Sequence, residues 1–82
     1  SIEKEKIGGA APDAARMGRR KVFVDAANGM AEAEIYDFTK LAPGNVMRGP
    51  AVIHTPITTI VLQARQTGRM DAYRNIVIEF AG

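Results

Sequence analysis

The chain has 82 residues, a formal net charge of +2 and a pI near 9.3, and it contains neither cysteine nor tryptophan. This length allows one small domain, which buries only about 60–65% of the surface that its unfolded chain exposes. The lack of cysteine excludes disulfides, thiolate nucleophiles and Cys-bearing zinc sites, and it fits a reducing compartment. No apolar run reaches the ~18 residues of a membrane-spanning helix, so we expect a soluble cytoplasmic protein.

Residues 1–19 are predicted to form a flexible N-terminal arm or linker, followed by a small β domain over residues 20–82. The arm shows no alternation of apolar and polar residues, and the sequence GGAAP at residues 8–12 interrupts any helix that starts in the charged opening. Asp13 is suited to cap a single helical turn, because its side chain accepts from free amides at a helix start. We expect the arm to order only against a partner.

A β-hairpin is predicted at the start of the domain. Residues 20–25 alternate and are rich in β-branched and aromatic side chains, which indicates a strand. Asn28 and Gly29 form a strong hairpin signal, because both residues tolerate positive φ. The second strand is predicted over residues 31–37, where two glutamates share one side with Tyr36. That alternation predicts one solvent-exposed face.

The rest of the chain is predicted to consist of short strands and turns. Residues 37–41 fit one irregular or helical turn, and the following Ala-Pro-Gly fits a tight turn. A very short strand is expected at Val46 and Met47. Further strands are expected at residues 50–54, 57–62 and 75–80, with a polar turn at 63–67 and a tight turn at 72–75.

Short strands separated by Gly, Pro or Asn predict an all-β fold, either a small sandwich or a partly open barrel of mostly antiparallel strands. The pair Gly49-Pro50 marks the entry into one apolar strand. We attribute Gly49 to unusual backbone angles, and Pro50 to the first position of a strand, where a missing donor is tolerated.

The sequence offers no catalytic, cofactor-binding or metal-binding constellation. His54 is the sole histidine, and no second ligand stands at metal spacing, so we expect a surface or interface residue. Asp25, Asp37 and Asp71 flank predicted strands, where aspartate commonly bonds to turn amides, and we interpret all three as turn caps. We therefore predict no site residue of any of these kinds.

One basic cluster leaves an alternative open, because it is able to bind phosphate or an acidic protein surface. A small basic barrel that binds single-stranded nucleic acid normally stacks bases on exposed aromatic side chains. The three phenylalanines are instead assigned to the core, so we expect no nucleic-acid partner. The cluster consists of Arg16, Arg19, Arg20 and Lys21, and the phenylalanines are Phe23, Phe38 and Phe80.

The order of motifs resembles the C-terminal segment of the hydantoinase A/oxoprolinase family over roughly three quarters of the chain. The resembling segments are VFVD at 22–25, IYD at 35–37, LAPG at 41–44, GPAVI at 49–53, TT at 58–59 and DAYRNIVI at 71–78. The chain departs from the family pattern at His54-Thr55, at the sequence QARQ of residues 63–66, and at Arg74 in place of glycine. Arg74 is expected to adopt a left-handed conformation that costs roughly 1 kcal/mol.

The resemblance implies a function that the residues alone do not. In that family the segment follows an actin-like body that binds ATP, so ATP and a divalent metal are implied for partner subunits and no cofactor for this chain. As a separate small chain it is similar to the small (beta) subunit of the acetophenone carboxylases, which are related to acetone carboxylases and hydantoinases. The resemblance implies a non-catalytic structural subunit or fragment of an ATP-dependent carboxylase or hydrolase complex, a ligase assembly without an active site on this chain.

The partners implied by the resemblance are large hydantoinase A-like and B-like subunits in a hetero-oligomer, with no nucleic acid and no membrane. The substrate remains open among an aromatic ketone, acetone and a hydantoin.

Overall fold

The computed structural model describes residues 9–26 and 29–80, without the side chains of Val24 and Asp25. Two short 3₁₀ helices occupy Asp13–Ala15 and Phe38–Lys40. The strands are β1 (Arg16–Asp25), β2 (Gly29–Asp37), β3 (Val46–Arg48), β4 (Ala51–His54), β5 (Thr59–Leu62), β6 (Gln66–Met70) and β7 (Ile76–Phe80). No helix in this part of the chain has the length and hydropathy needed to cross a bilayer.

The strands form two sheets that do not close into a barrel. The first sheet has the order β1-β2-β4-β5, and the second has the order β3-β6-β7. All pairs are antiparallel except β2 with β4. The predicted all-β class, with short and mostly antiparallel strands, is confirmed.

The predicted hairpin is present as β1 and β2, but β1 begins at Arg16, four residues earlier than expected. Arg16 and Arg19, near the start of β1, form ion pairs with Glu34 on β2. These cross-strand contacts stabilise the additional part of the hairpin. Gly29 follows the hairpin turn with a φ of 69°. The other residue of the predicted turn signal, Asn28, lies outside the described residues.

The described part of the predicted arm belongs to the domain. Ala15 is 1% exposed in the core, and the backbone amide of Val46 donates to the carbonyl oxygen of Ala10 at 2.8 Å. Sequence patterning did not indicate this because the contacts are made with residues more than twenty positions away. Residues 1–8 lie outside the described residues, so the predicted order of that part on a partner stays a prediction.

One strand was missed, and another begins later than predicted. The segment 63–67 was expected to be a polar turn, yet β6 begins at Gln66 and lies between β3 and β7. Its sequence QTGRM lacks the alternation that identifies a strand, so its two neighbours decide its conformation. Strand β5 begins at Thr59 rather than Ile57, which is 93% exposed in the preceding loop.

The main core lies between the two sheets, and it includes Tyr36 on the predicted solvent-exposed side of β2. The prediction that this face of β2 is exposed is wrong at the C-terminal end of the strand, because the second sheet covers Tyr36 there. A smaller cluster of Ala33, Ile35 and Val52 occupies the opposite face of the first sheet. The main core consists of Ala15, Tyr36, Leu41, Met47, Ala51, Ile53, Leu62 and Met70.

Two of the three phenylalanines assigned to the core are exposed. Phe23 pairs with Met30 at the hairpin tip and is 67% exposed, and Phe80 at the end of β7 is 74% exposed. Both lie at strand ends beyond the area where the sheets cover each other. Phe38 alone of the three packs against the main core.

Candidate functional site

The two sheets meet at a corner where two neighbouring segments pass together from one sheet into the other. One segment joins β3 to β4 through Gly49, and the other joins β5 to β6 through Gln63 and Gln66. The amide of Gly49 donates to the carbonyl oxygen of Gln66 at 2.9 Å. The amide of Gln63 donates to the side-chain Oε1 of Gln66 at 2.7 Å, while the amide of Gln66 donates to the carbonyl oxygen of Gln63 at 3.0 Å. These bonds satisfy the backbone groups at the bend.

Gly49 is required at this corner by close approach rather than by its backbone angles. A Cβ atom at this position would lie 1.7 Å from the carbonyl oxygen of Gln63 and 2.7 Å from its carbonyl carbon. The described glycines with positive φ are Gly18, Gly29 and Gly44. The attribution of Gly49 to unusual backbone angles was therefore wrong, because its role is to let two main chains touch.

Arg74 fastens the turn between β6 and β7 to the second 3₁₀ helix. It adopts the predicted left-handed conformation, with φ of 65°. Its Nη1 donates to the carbonyl oxygen of Leu41 and its Nη2 to that of Phe38, both at 3.0 Å. The guanidinium carbon lies 5.3 Å from the centroid of the Phe38 ring. The side chain thus satisfies carbonyls at the end of that helix and compensates for the unfavourable backbone angle.

The two aspartates whose side chains are described act as turn caps, as predicted. Asp71 accepts from the amides of Tyr73 at 2.9 Å and Asn75 at 2.8 Å, and the bond from the Asn75 amide is the largest influence that lowers its pKa. Asp37 accepts from the hydroxyl of Thr39 at 2.7 Å and from its amide at 3.0 Å. The hydroxyl bond is the main reason that the pKa of Asp37 is lowered. The side chain of Asp25 lies outside the described set.

Asn45 is a central polar residue that the sequence reasoning missed. It is 6% exposed, and its Oδ1 accepts from the amide of Ala42 at 2.8 Å. Its Nδ2 donates to the carbonyl oxygens of Gly9 at 2.9 Å and Ala11 at 3.2 Å. Its position after a Pro-Gly pair suggested a turn, and only the tertiary structure brings residues 9–11 within reach.

His54 lies at the end of β4, half-buried between Asp37 on β2 and Thr59 on β5. Within the described ranges, no group of three or more His, Asp or Glu side chains is arranged to hold a metal ion. Thr55, next along the chain, holds the following loop. Its hydroxyl accepts from the amide of Thr58 and donates to the carbonyl oxygen of Thr58, each at 2.9 Å. At the position where the chain departs from the family pattern, Thr55 thus stabilises the following turn with hydrogen bonds from its own side chain.

Two of the four residues of the predicted basic cluster form ion pairs with the single carboxylate of Glu34. Nε of Arg19 lies 2.9 Å from Oε1 of Glu34, and Nε of Arg16 lies 3.1 Å from Oε2. A hydrogen bond with the Tyr36 side chain, followed by the charge of Glu34, raises the pKa of Arg16 above its usual range. Arg20 and Lys21 remain exposed on the same strand. The four residues therefore do not form one free basic surface.

The fold and its side-chain contacts define the structural class of the protein. It is an open two-sheet domain in which the polar side chains with the clearest contacts fasten turns, strands and the corner. The sequence matches the hydantoinase/oxoprolinase C-terminal domain over residues 1–80, and the chain belongs to that family.

Two similar proteins place the domain in longer chains. The sequence is 33% identical over 78 residues to the acetophenone carboxylase gamma subunit of Aromatoleum aromaticum, a match that covers 95% of this chain and 11% of the subunit. The fold matches the nucleotide-free structure of acetone carboxylase, solved for the mechanism of ATP-dependent acetone carboxylation, with a TM-score of 0.89 and 31% identity. That match covers 98% of this chain and 11% of the other. The family resemblance inferred from the motifs is confirmed. The acetophenone carboxylase match is to the gamma subunit, whereas the expectation named the small beta subunit, and the chain spans about a tenth of the length of these relatives.

Proposed function

We propose that this chain is a non-catalytic packing domain, as a subunit or a segment, of an ATP-dependent carboxylase of the acetophenone carboxylase type. The observation that carries the proposal is the use of its polar side chains. Arg74 and Asn45 are bonded to backbone groups of distant parts of the chain, and Asp71 is bonded to the amides of its own turn. Side chains bonded in this way stabilise the fold and the surface with which the domain packs. Family membership indicates that this surface packs against the rest of a large enzyme.

The rest of the machinery is assigned to partner polypeptides. We propose hydantoinase A-like and B-like partners in a cytoplasmic hetero-oligomer, with ATP and a divalent metal bound by those partners. The two similar proteins are named as carboxylases of acetophenone and acetone, and these names favour a ketone over a hydantoin as substrate. Bicarbonate activation and ketone activation would both take place on the partners.

The test is to replace the matched segment of the Aromatoleum aromaticum gamma subunit with this chain. Three versions of the subunit are compared with its partner subunits present: unchanged, lacking the segment, and carrying this chain. We expect the deletion to abolish acetophenone carboxylation and the replacement to restore a measurable fraction. The isolated chain is assayed for ATP hydrolysis with acetophenone or acetone. Turnover by the isolated chain, or no recovery in the replaced subunit, would contradict the proposal.

One observation favours the nucleic-acid alternative. Phe23 is exposed, and it shares a side of β1 with Lys21, so an aromatic ring and a cation lie together near the hairpin tip. Against this, Arg16 and Arg19 are paired with Glu34, which reduces the charge available to phosphates. Titration of a labelled single-stranded oligonucleotide at low and high salt decides between the two. Micromolar binding with a steep salt dependence would favour the alternative.

A further inference from the structure

The four strands at the ends of the two sheets differ in how their edges are protected. An edge strand exposes unpaired N–H and C=O groups, and proteins commonly protect such edges with charged side chains or with very short strands. Strand β1 carries four basic residues, β3 is three residues long and includes Arg48, and β7 includes Glu79. Strand β5 has the sequence TIVL and no charge. It is therefore the unprotected edge among the described strands.

The absence of charge extends well beyond β5. Residues 49–64 contain no Lys, Arg, Asp or Glu, although charged residues make up 24% of the chain. Within this segment Val61 is 53% exposed and Ile57 is 93% exposed. Removing uncharged side chains from water costs little, whereas a buried unpaired charge is expensive. This edge is thus the part of the surface that is most easily covered.

An apolar row crosses the outer face of the first sheet and ends at this edge. Ile35 on β2 lies opposite Val52 on β4, which lies opposite Val61 on β5. Their exposed fractions are 8%, 5% and 53%, so the row is covered in its centre and open at β5. A further strand beside β5 would continue the row and cover Val61 with its own apolar side chain.

The loop before β5 is held in one conformation. Besides its two hydroxyl bonds to Thr58, Thr55 accepts from the amide of Ile57 at 3.3 Å, and its own amide donates to the carbonyl oxygen of Thr58 at 2.9 Å. A side chain presented by a preorganised loop loses little conformational freedom on binding. Ile57 is therefore suited to insert into an apolar pocket next to the added strand.

We propose that β5 binds an extended, uncharged strand of the larger carboxylase polypeptide by strand addition, with Val61 and Ile57 as the apolar contacts. This inference rests on the proposed function. The two relatives carry about nine tenths of their length outside the matched region, so they contain ample chain to supply such a strand. Backbone bonds to β5 would provide affinity, and the apolar row would select side chains at alternate positions of the added strand.

The hairpin tip is the competing contact, because Phe23 and Met30 are also apolar and exposed. Phe23 supplies a matched control, since it is 67% exposed against 53% for Val61 and both positions accept a lysine with little effect on the core. Val61→Lys places a charge on the β5 edge, whereas Phe23→Lys places one at the opposite edge of the same sheet.

The experiment measures amide hydrogen exchange in the gamma subunit that carries this chain and in the isolated chain. We expect alternate amides of residues 59–62 to exchange at least tenfold more slowly in the subunit. Val61→Lys is expected to remove this protection and Phe23→Lys to preserve it. Unchanged exchange at β5, or protection confined to the hairpin tip or β7, would overturn the assignment and leave the proposed function intact.

If the replaced subunit fails to fold, the isolated chain is titrated instead with the gamma subunit that lacks its matched segment. Binding that Val61→Lys weakens at least tenfold and Phe23→Lys leaves unchanged supports the β5 site. Binding that responds only to Phe23→Lys overturns it. No binding at all counts against both the β5 site and the proposed function.

Discussion

The corner between the sheets and the edge at β5 use neighbouring parts of the same chain in opposite ways. At the corner, Gly49 touches the backbone of Gln63 and donates its amide to Gln66. Arg74 and Asp71 fasten the turn at the other end of β6 in the same way, with bonds inside the chain. At the edge, β5 carries no charge and Val61 and Ile57 face solvent. The corner is closed by contacts within the chain, and the edge is open to contacts from outside.

The difference shows where the polar side chains of the domain are located. Polar side chains are concentrated where backbone groups would otherwise be left unsatisfied, at turns and at the bend. The β5 edge has no charged side chain. An added strand would satisfy its backbone groups, and charges there would oppose the contact. Substitutions at the corner should therefore change folding, and substitutions at the edge should change association.

The largest effect is expected for Gly49→Ala. The new Cβ would lie 1.7 Å from a carbonyl oxygen, and both partners are main chain, so relief requires the corner itself to move. We expect a loss of at least about 3 kcal/mol in the free energy of unfolding. Urea denaturation measures it. Gly9→Ala is the control, because nothing lies within 4 Å of its added Cβ, and it should change stability by less than about 0.5 kcal/mol.

Two substitutions of Arg74 separate the free-energy cost of its left-handed backbone from the contribution of its side-chain hydrogen bonds. Arg74→Ala loses the bonds to Leu41 and Phe38 while keeping the left-handed backbone, and we expect a loss of about 2 to 4 kcal/mol. Arg74→Gly loses the same bonds but relieves the backbone, so it should be about 1 kcal/mol more stable than the alanine variant. Equal stability of the two variants would show that the backbone is not strained at this position.

The aspartate caps should make the domain sensitive to acid. The pKa of Asp71 is lowered in the folded state, so its stabilising contribution is complete above the unfolded value of about 3.9. The contribution is lost as the pH falls through the lower folded value. Asp71→Asn keeps an acceptor oxygen without a charge. It should be less stable than the parent at pH 7 and should lose less stability on acidification, as measured by urea denaturation at pH 7 and pH 3. A parallel loss in both proteins would contradict this role.

The smallest effect is expected for Val61→Lys in the isolated chain. The side chain is 53% exposed at a sheet edge, so its replacement should change the free energy of unfolding by less than about 0.5 kcal/mol. Thermal denaturation of the isolated variant checks this. A loss above about 2 kcal/mol would mean that Val61 supports the fold itself, and the contrast between corner and edge would disappear.

Local signals in the sequence anticipated the turn caps but not the contacts of the corner. The caps Asp37 and Asp71 were predicted because turn chemistry depends on residues within four positions. The left-handed conformation of Arg74 was expected from the family resemblance, because Arg74 stands where the family pattern has glycine. Gly49 was recognised as special, but for the wrong reason, because a close approach between segments leaves no local pattern. Asn45 was missed for the same reason, since the two carbonyl oxygens that its Nδ2 binds lie more than thirty residues away.

The sequence by itself determined the all-β class, the hairpin of β1 and β2, most turns and the family, because alternation and turn residues act over short distances. Only the tertiary structure decided that β6 is a strand, that Tyr36 is buried and that Phe23 and Phe80 are exposed. Those outcomes depend on which sheet covers which part of a strand. The open edge at β5 also required the strand order, because a strand is an edge only through the absence of a neighbour in its sheet.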